Sequence, residues 1–160
     1  MINRIIFVCT GNTCRSPMAE AILKDMIHKN QIEGIEVLSR GLKVYDKEIN
    51  AKALLSLNKL GIKEFSHTPR ELREEEIKTS DLVLTMTKSH KDYINQNKSY
   101  PNVLSIAEYL NGSDIPDPYG LDEETYDKVA GIIYDSCLKI LNKIKQGENK
   151  WAKYTYLITH

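Results

Sequence analysis

The sequence has no excess of charge of either sign. Its 160 residues include 22 lysines and arginines and 22 aspartates and glutamates, so the formal net charge at pH 7 is zero. A polyanionic partner such as nucleic acid favours a protein with surplus positive charge. We therefore do not expect this protein to bind nucleic acid.

Long hydrophobic runs are also missing, although 41% of the residues are hydrophobic. No stretch approaches the roughly 20 apolar residues that a membrane-spanning helix needs. The first residues, "MINRIIFVCTGN", contain an apolar run too short for the hydrophobic region of a secretion signal. We expect a cytoplasmic protein with no membrane partner, and a monomer.

Cysteine is scarce, with three residues in the chain. An odd number of cysteines without a secretion signal favours free thiols over a disulfide framework. Metal ligands normally come at short, paired spacings, and the histidines are scattered at His28, His67, His90 and His160. Cys9 and Cys14 have no second cysteine pair, so we do not expect a zinc site.

Short apolar runs alternate with helical patterns along the chain. Strands are predicted at 5–8, 35–39, 81–86 and 102–106, and helices at 17–30, 50–62, 88–96 and 122–145. The predicted first helix has Ser16 as N-cap and Pro17 as its first residue. This alternation predicts a three-layer α/β/α domain with a four-stranded parallel sheet. We expect one domain over 1–146 and a C-terminal extension at 147–160.

The stretch "VCTGNTCRSP" at 8–17 follows the first predicted strand directly. In an open α/β sheet, ligands bind beyond the carboxyl ends of the strands. Backbone N–H groups at a helix start form an anion cradle, and Gly11 is expected to let the chain turn tightly there. Arg15 offers a bidentate fork for phosphate-like oxyanions. The sequence therefore predicts a phosphate-binding loop.

Cys9 is the candidate nucleophile in this loop. The backbone amides, the helix dipole and Arg15 all favour the thiolate, and Ser16 is placed to donate a hydrogen bond to the sulfur. Far along the chain, "DPYG" at 117–120 holds a carboxylate before a proline. Asp117 is the candidate general acid for a leaving group, with Asp114 as a weaker alternative. Together these residues predict phosphoryl transfer to cysteine followed by hydrolysis.

The motif C-x5-R-S after the first strand, with a distant Asp-Pro, resembles the low-molecular-weight protein tyrosine phosphatases from about Ile5 to Lys145. The resemblance implies a phosphorylated protein substrate, a cysteinyl-phosphate intermediate at Cys9, a phosphoryl-holding Arg15 and a proton-donating Asp117. It implies no metal or cofactor. The residues implied to bind phosphate or support the loop are Thr10, Gly11, Asn12, Thr13, Cys14 and Ser16.

Two positions bear on the branch of the family. The loop has Thr13 where tyrosine-specific members usually carry a bulky apolar residue, so the chain looks more like the bacterial protein-arginine phosphatases. Tyr119 is expected to form a pocket wall for either substrate, and tyrosine dephosphorylation remains the close alternative. In "SRG" at 39–41, Ser39 is expected to bond Asn12, whereas Arg40 departs from the usual Ser-Ala-Gly.

Two other functional classes remain as alternatives. Thioredoxin-coupled arsenate reductases resemble this loop but relay electrons through further cysteines after the third strand, and the segment 85–96 contains none. Cys137 is predicted to be a core residue of the last helix. A phosphate-binding module would need neither a reactive thiol nor an acid. Cys14 is either a small loop residue or the partner of Cys9 in a protective disulfide.

Overall fold

A computed structural model describes residues 2–147. The predicted extension at 147–160 lies outside the described residues, apart from Gly147. None of the helices within 2–147 is long and apolar enough to cross a membrane.

Four parallel strands form the central sheet, as the sequence predicts. Their order across the sheet is β2-β1-β3-β4, and every neighbouring pair is parallel. The central strand β1 is almost entirely buried, which its unbroken apolar run explains. The strands are β1 (Arg4–Cys9), β2 (Glu36–Gly41), β3 (Leu82–Thr85) and β4 (Val103–Ser105).

Helices cover both faces of this sheet. They are α1 (Arg15–Lys29), α2 (Ala51–Lys59), α3 (Glu74–Thr79), α4 (Lys88–Ile94), α5 (Ile106–Leu110) and α6 (Glu123–Lys145). Alternate residues of β1 enter different cores: Ile5 and Phe7 join the larger cluster with α1 and α6, whereas Ile6 and Val8 join the smaller one. The three-layer α/β/α prediction is confirmed.

Side-chain caps fix the starts of two predicted helices. Asn50 accepts hydrogen bonds from the N–H groups of Lys52 and Ala53 and so begins α2. Asp122 accepts from Thr125 N and begins α6. Cys137 is buried on α6, as predicted for a core residue.

The predicted start of α1 is wrong by two residues. The helix begins at Arg15, with Cys14 as N-cap and no capping side chain. Ser16 does not cap it, because the Ser16 hydroxyl is occupied by contacts with the loop. Because of this early start, Arg15 is the first residue of the helix.

The segment 70–78 is only half helical. Glu71 forms a parallel bridge with Gly41, and the helix α3 starts at Glu74. Glu76 and Ile77 are buried. The apolar Ile77 packs in the smaller core, and Glu76 faces a partner on β2 that its local sequence does not indicate.

Candidate active site

The loop between β1 and α1 lies at the carboxyl edge of the sheet and forms the floor of a cleft. The cleft has a volume of about 330 Å³. It is lined by Cys9, Thr10, Gly11, Thr13, Cys14, Arg15, Lys43, Tyr45, Asp46, Asp117 and Tyr119. The structure therefore brings the predicted nucleophile, cation and acid, which span 108 positions of sequence, to one cavity.

Cys9 ends β1 and contacts the first turn of α1. Its Sγ lies 2.9 Å from Ser16 Oγ. Asn12 Nδ2 donates to the same Ser16 oxygen at 2.9 Å. Since that oxygen already accepts from Asn12, the single Ser16 proton is available to the sulfur. The alternative acceptor, the carbonyl of Arg40, is farther away at 3.4 Å.

Asn12 holds the loop in shape. Its φ is 58°, in the left-handed region that asparagine tolerates better than most residues. Besides Ser16, its Nδ2 donates to Ser39 Oγ at 2.9 Å, which is the contact predicted for Ser39. Its Oδ1 accepts from Arg70 N at 3.0 Å. These three hydrogen bonds oppose the strain of the positive φ.

Gly11 does not have the turn-forming role predicted for it. The left-handed residue of the loop is Asn12, and a Cβ on Gly11 would make only ordinary contacts. The glycine that the loop requires is Gly41 on β2. A Cβ there would come within 2.9 Å of Thr10 O and 3.0 Å of Asn12 Cβ, so a side chain would displace the loop.

Arg15, the first residue of α1, is only 5% exposed although its side chain is charged. Its Nη1 donates to Ile115 O at 3.1 Å, and its Nη2 lies 3.6 Å from Asp117 Oδ2. The carbonyl contact anchors one side of the guanidinium. The cation and the Asp117 carboxylate therefore approach each other at the cleft.

Asp117 and Asp114, the two candidate acids, lie in different surroundings. Asp117 lines the cleft, its side chain is 55% exposed, and Oδ1 accepts from Tyr119 N at 3.1 Å. Asp114 is not among the residues lining the cleft. Its carboxylate accepts the N–H of Lys88 at 3.0 Å, at the start of α4. The geometry favours Asp117 over Asp114 as the acid.

The cleft walls include residues that the sequence did not reveal. Thr13 and Tyr119 were predicted to meet the substrate, and both line the cleft. Lys43, Tyr45 and Asp46 follow β2 and also line it. No motif marks these three, but their position after the end of a parallel strand is a signal that sequence reasoning could have used.

Cys14 is a mostly buried residue of the loop. Its Sγ is 3.3 Å from Tyr126 OH and 3.7 Å from Thr13 Oγ1, and the three cysteines are free thiols. Burial raises the pKa of Cys14 above its ordinary value, although the Tyr126 hydroxyl opposes this. The thiol form is therefore favoured at Cys14.

Arg40, the departure noted in the sequence, forms a buried ion pair with Glu76. Arg40 Nε donates to both carboxylate oxygens, at 3.2 and 3.0 Å, and Nη2 lies 2.9 Å from Oε2. Burial alone would raise the pKa of Glu76, but the hydrogen bonds from Arg40 and from Arg73 N lower it below the usual value. This ion pair thus links β2 to α3 at the residue that follows Ser39.

Two histidines contact the loop, although the sequence gave them no site role. His67 Nε2 donates to Asn12 O at 2.9 Å, and burial lowers the pKa of His67. His90 Nε2 lies 2.9 Å from Thr10 Oγ1. Within residues 2–147, no group of three or more His, Cys, Asp or Glu side chains is arranged to hold a metal.

Comparisons with known proteins agree on one family. Residues 4–150 match the low molecular weight phosphotyrosine protein phosphatase family. The protein-arginine-phosphatase of Geobacillus stearothermophilus is 38% identical over 128 residues, covering 77% of this chain and 83% of that protein. The low molecular weight protein-tyrosine-phosphatase PtpB of Staphylococcus epidermidis is 35% identical over 145 residues, covering 89% and 96%.

A solved structure adds chemical detail. It is a mutant of the YwlE arginine phosphatase with a phosphorylated active-site serine. It superposes with a TM-score of 0.84 at 29% identity and covers 92% of this chain and 99% of that one.

A parallel α/β domain whose first strand ends at Cys9, with Arg15 in the first turn of the following helix and Asp117 in the same cleft, has the arrangement of the cysteine-dependent phosphatases. The chain belongs to the low molecular weight phosphotyrosine protein phosphatase family. It is therefore a hydrolase of phosphorylated proteins. Its relatives include arginine phosphatases and tyrosine phosphatases at nearly equal sequence identity. Sequence identity therefore does not distinguish phosphoarginine from phosphotyrosine as the substrate.

Proposed function

We propose that this protein is a protein-arginine phosphatase that works through a cysteinyl-phosphate at Cys9. The observation that carries the proposal is the cleft itself, in which Cys9, Arg15 and Asp117 meet beside Thr13. The similarity to arginine phosphatases supports the substrate.

In the first step, the Cys9 thiolate attacks phosphorus. A P–S bond forms while the P–N bond of phosphoarginine breaks, and the electron pair of that bond goes to the guanidine nitrogen. Protonated Asp117 gives its proton to this nitrogen. Arg15 and the backbone N–H groups of the loop stabilise the charge on the phosphoryl oxygens.

In the second step, a water molecule attacks the cysteinyl-phosphate. The Asp117 carboxylate takes a proton from the water as the new P–O bond forms. The P–S bond breaks and its electron pair returns to Cys9 as thiolate, which Ser16 stabilises from 2.9 Å. Inorganic phosphate leaves, and Asp117 is protonated again for the next cycle.

Thr13 and Asp117 support phosphoarginine in particular. A threonine wall is smaller and more polar than the bulky apolar side chain typical of tyrosine-specific members, which suits a planar guanidinium. The guanidine leaving group needs a proton on nitrogen, and Asp117 lies in the cleft to supply it.

Phosphotyrosine is the second candidate, because two exposed aromatic rings border the cleft. Tyr119 is 65% exposed and Tyr45 is 85% exposed. A phosphotyrosine ring would gain apolar contact between such side chains. The tyrosine phosphatases among the relatives are consistent with this alternative.

A comparison of kcat/KM on matched peptides tests the substrate. The peptides carry either phosphoarginine or phosphotyrosine, and the variants are Thr13→Ile and the nearly isosteric Thr13→Val. We expect the natural protein to prefer phosphoarginine. A methyl-sized change in a pocket is worth about 10- to 200-fold, so Thr13→Ile should move the preference toward phosphotyrosine by a factor in that range.

The Thr13→Val variant separates polarity from size. If the hydroxyl matters, Thr13→Val loses phosphoarginine activity even though its side chain has nearly the same shape. A natural protein that prefers phosphotyrosine by tenfold or more would overturn the arginine proposal.

A further inference from the structure

His90 contacts the phosphate-binding loop from α4. The residue is 7% exposed, and its Nε2 lies 2.9 Å from Oγ1 of Thr10, the residue after Cys9. The two residues are 80 positions apart in the sequence. This contact has no part in the mechanism above, although it reaches the loop that holds the phosphoryl group.

The protonation state of His90 follows from its surroundings. Burial and the positive charge of Arg15 lower its pKa to about 4, although Asp117 and Asp114 oppose this. At neutral pH the ring is therefore uncharged and carries one N–H.

The position of that proton follows from the other ring nitrogen. Nδ1 of His90 is buried and has no hydrogen-bond partner among the described residues. A buried N–H without a partner is rarer than a buried acceptor without one. We therefore assign the proton to Nε2, so that His90 donates to Thr10 Oγ1.

This direction determines what Thr10 can do. Its hydroxyl oxygen accepts from His90, so its single proton is left for another acceptor. Thr10 lines the cleft with Cys9 and Arg15. Its carbonyl accepts the N–H groups of Leu42 and Lys43 at 2.8 and 2.9 Å, so the backbone is held as well as the side chain.

We propose that His90 is a positioning residue that holds Thr10 so that the Thr10 hydroxyl donates to an oxyanion bound in the loop. The oxyanion is inorganic phosphate or the phosphoryl group of a substrate. His90 itself does not touch it. The proposal rests on the proposed function, since it needs a phosphoryl oxygen in the cleft.

The dissociation constant of inorganic phosphate, measured by calorimetry at neutral pH, tests the Thr10 hydroxyl. A hydrogen bond to a charged group is worth about tenfold in affinity at the lower end of its range. We expect Thr10→Val to weaken phosphate binding about tenfold, since valine keeps the shape and removes the hydroxyl. Thr10→Ser keeps the hydroxyl and should stay within about twofold of the natural protein.

A double-mutant cycle tests whether His90 acts through Thr10. We expect His90→Leu to weaken phosphate binding by about fivefold. The same change in the Thr10→Val protein should add almost nothing, because the hydroxyl that His90 positions is already gone. His90→Gln, whose amide N–H can replace Nε2, should restore most of the affinity. His28→Gln, at an exposed histidine near the end of α1, is the matched control and should leave phosphate binding unchanged.

Three results would overturn the proposal. They are unchanged phosphate binding in Thr10→Val, losses that multiply fully in the double variant, and a His90→Gln protein that binds phosphate no better than His90→Leu. If His90→Leu does not fold, Thr10→Val and His90→Gln still decide the outcome. The calorimetric titration with phosphate does not depend on turnover. A failure of the His90 proposal would therefore appear in phosphate binding, whereas a failure of the proposed function would appear as turnover that does not depend on Cys9.

Discussion

The Ser16→Ala substitution should strongly reduce the reactivity of Cys9. It removes the hydroxyl that lies 2.9 Å from Sγ and leaves Asn12 Nδ2 without one of its two acceptors. A hydrogen bond to a charged group contributes about 1.5–3 kcal/mol. Each 1.36 kcal/mol corresponds to a tenfold change, so the rate of thiolate reactions should fall about 10- to 150-fold.

The alkylation of Cys9 by iodoacetamide at pH 6, followed by peptide mass mapping, measures this rate directly. Ser39→Ala is the matched control, because it also removes a serine hydroxyl bonded to Asn12 but does not contact the sulfur. We expect Ser39→Ala to lose much less reactivity than Ser16→Ala. Equal rates in the two variants would refute the reasoning, since the effect would then come from the loop shape and not from the hydrogen bond to sulfur.

Three further predictions concern the acid, a buried ion pair and oxidation. Asp117→Asn should reduce kcat/KM by about 10²- to 10⁴-fold for poor leaving groups and much less for activated aryl phosphates; equal losses would remove its role as acid. Arg40→Met should lower the urea-unfolding free energy by about 3–5 kcal/mol, because the buried Glu76 carboxylate loses the guanidinium that bonds both of its oxygens. Folding lowers the pKa of Glu76, so the stabilisation by this ion pair is complete above the ordinary pKa of 4.5 and is lost as the pH falls through the folded-state pKa. An Arg40→Met protein whose unfolding free energy depends on pH in the same way as that of the natural protein would contradict this. Mild peroxide should give a reversible Cys9–Cys14 disulfide, and mass spectrometry that finds only sulfinic or sulfonic Cys9 would exclude it.

The sheet and the loop were predictable because their signals are local. The apolar run of β1, the following small and polar residues and the start of α1 lie within one continuous stretch. The caps at Asn50 and Asp122 are also local, since each side chain bonds an N–H two or three residues later. The start of α1 was misplaced because Ser16, a favoured capping residue, bonds the loop and the Cys9 sulfur instead.

Apart from the Asn12–Ser39 contact, which the family resemblance implied, the support of the loop was not predictable, because it is built from distant pairs. Arg40 and Glu76 are 36 positions apart, and His67 lies 55 positions from the Asn12 carbonyl that it contacts. Neither pair has a spacing or motif that a single sequence reveals. The requirement for glycine at position 41 was not predictable for the same reason. A side chain is excluded there because β2 closely approaches Thr10 and Asn12, which the sequence does not show.

The central claim is that Cys9 carries the phosphoryl group during turnover. Rapid acid quenching of the enzyme with a phosphoarginine peptide, followed by mass spectrometry of the peptide that contains residues 5–15, tests it most directly. We predict one phosphoryl group on the Cys9 sulfur within the first turnover, and none at that position in Cys9→Ala. Full turnover without phosphorylated Cys9, or persistent turnover in Cys9→Ala, would contradict the account.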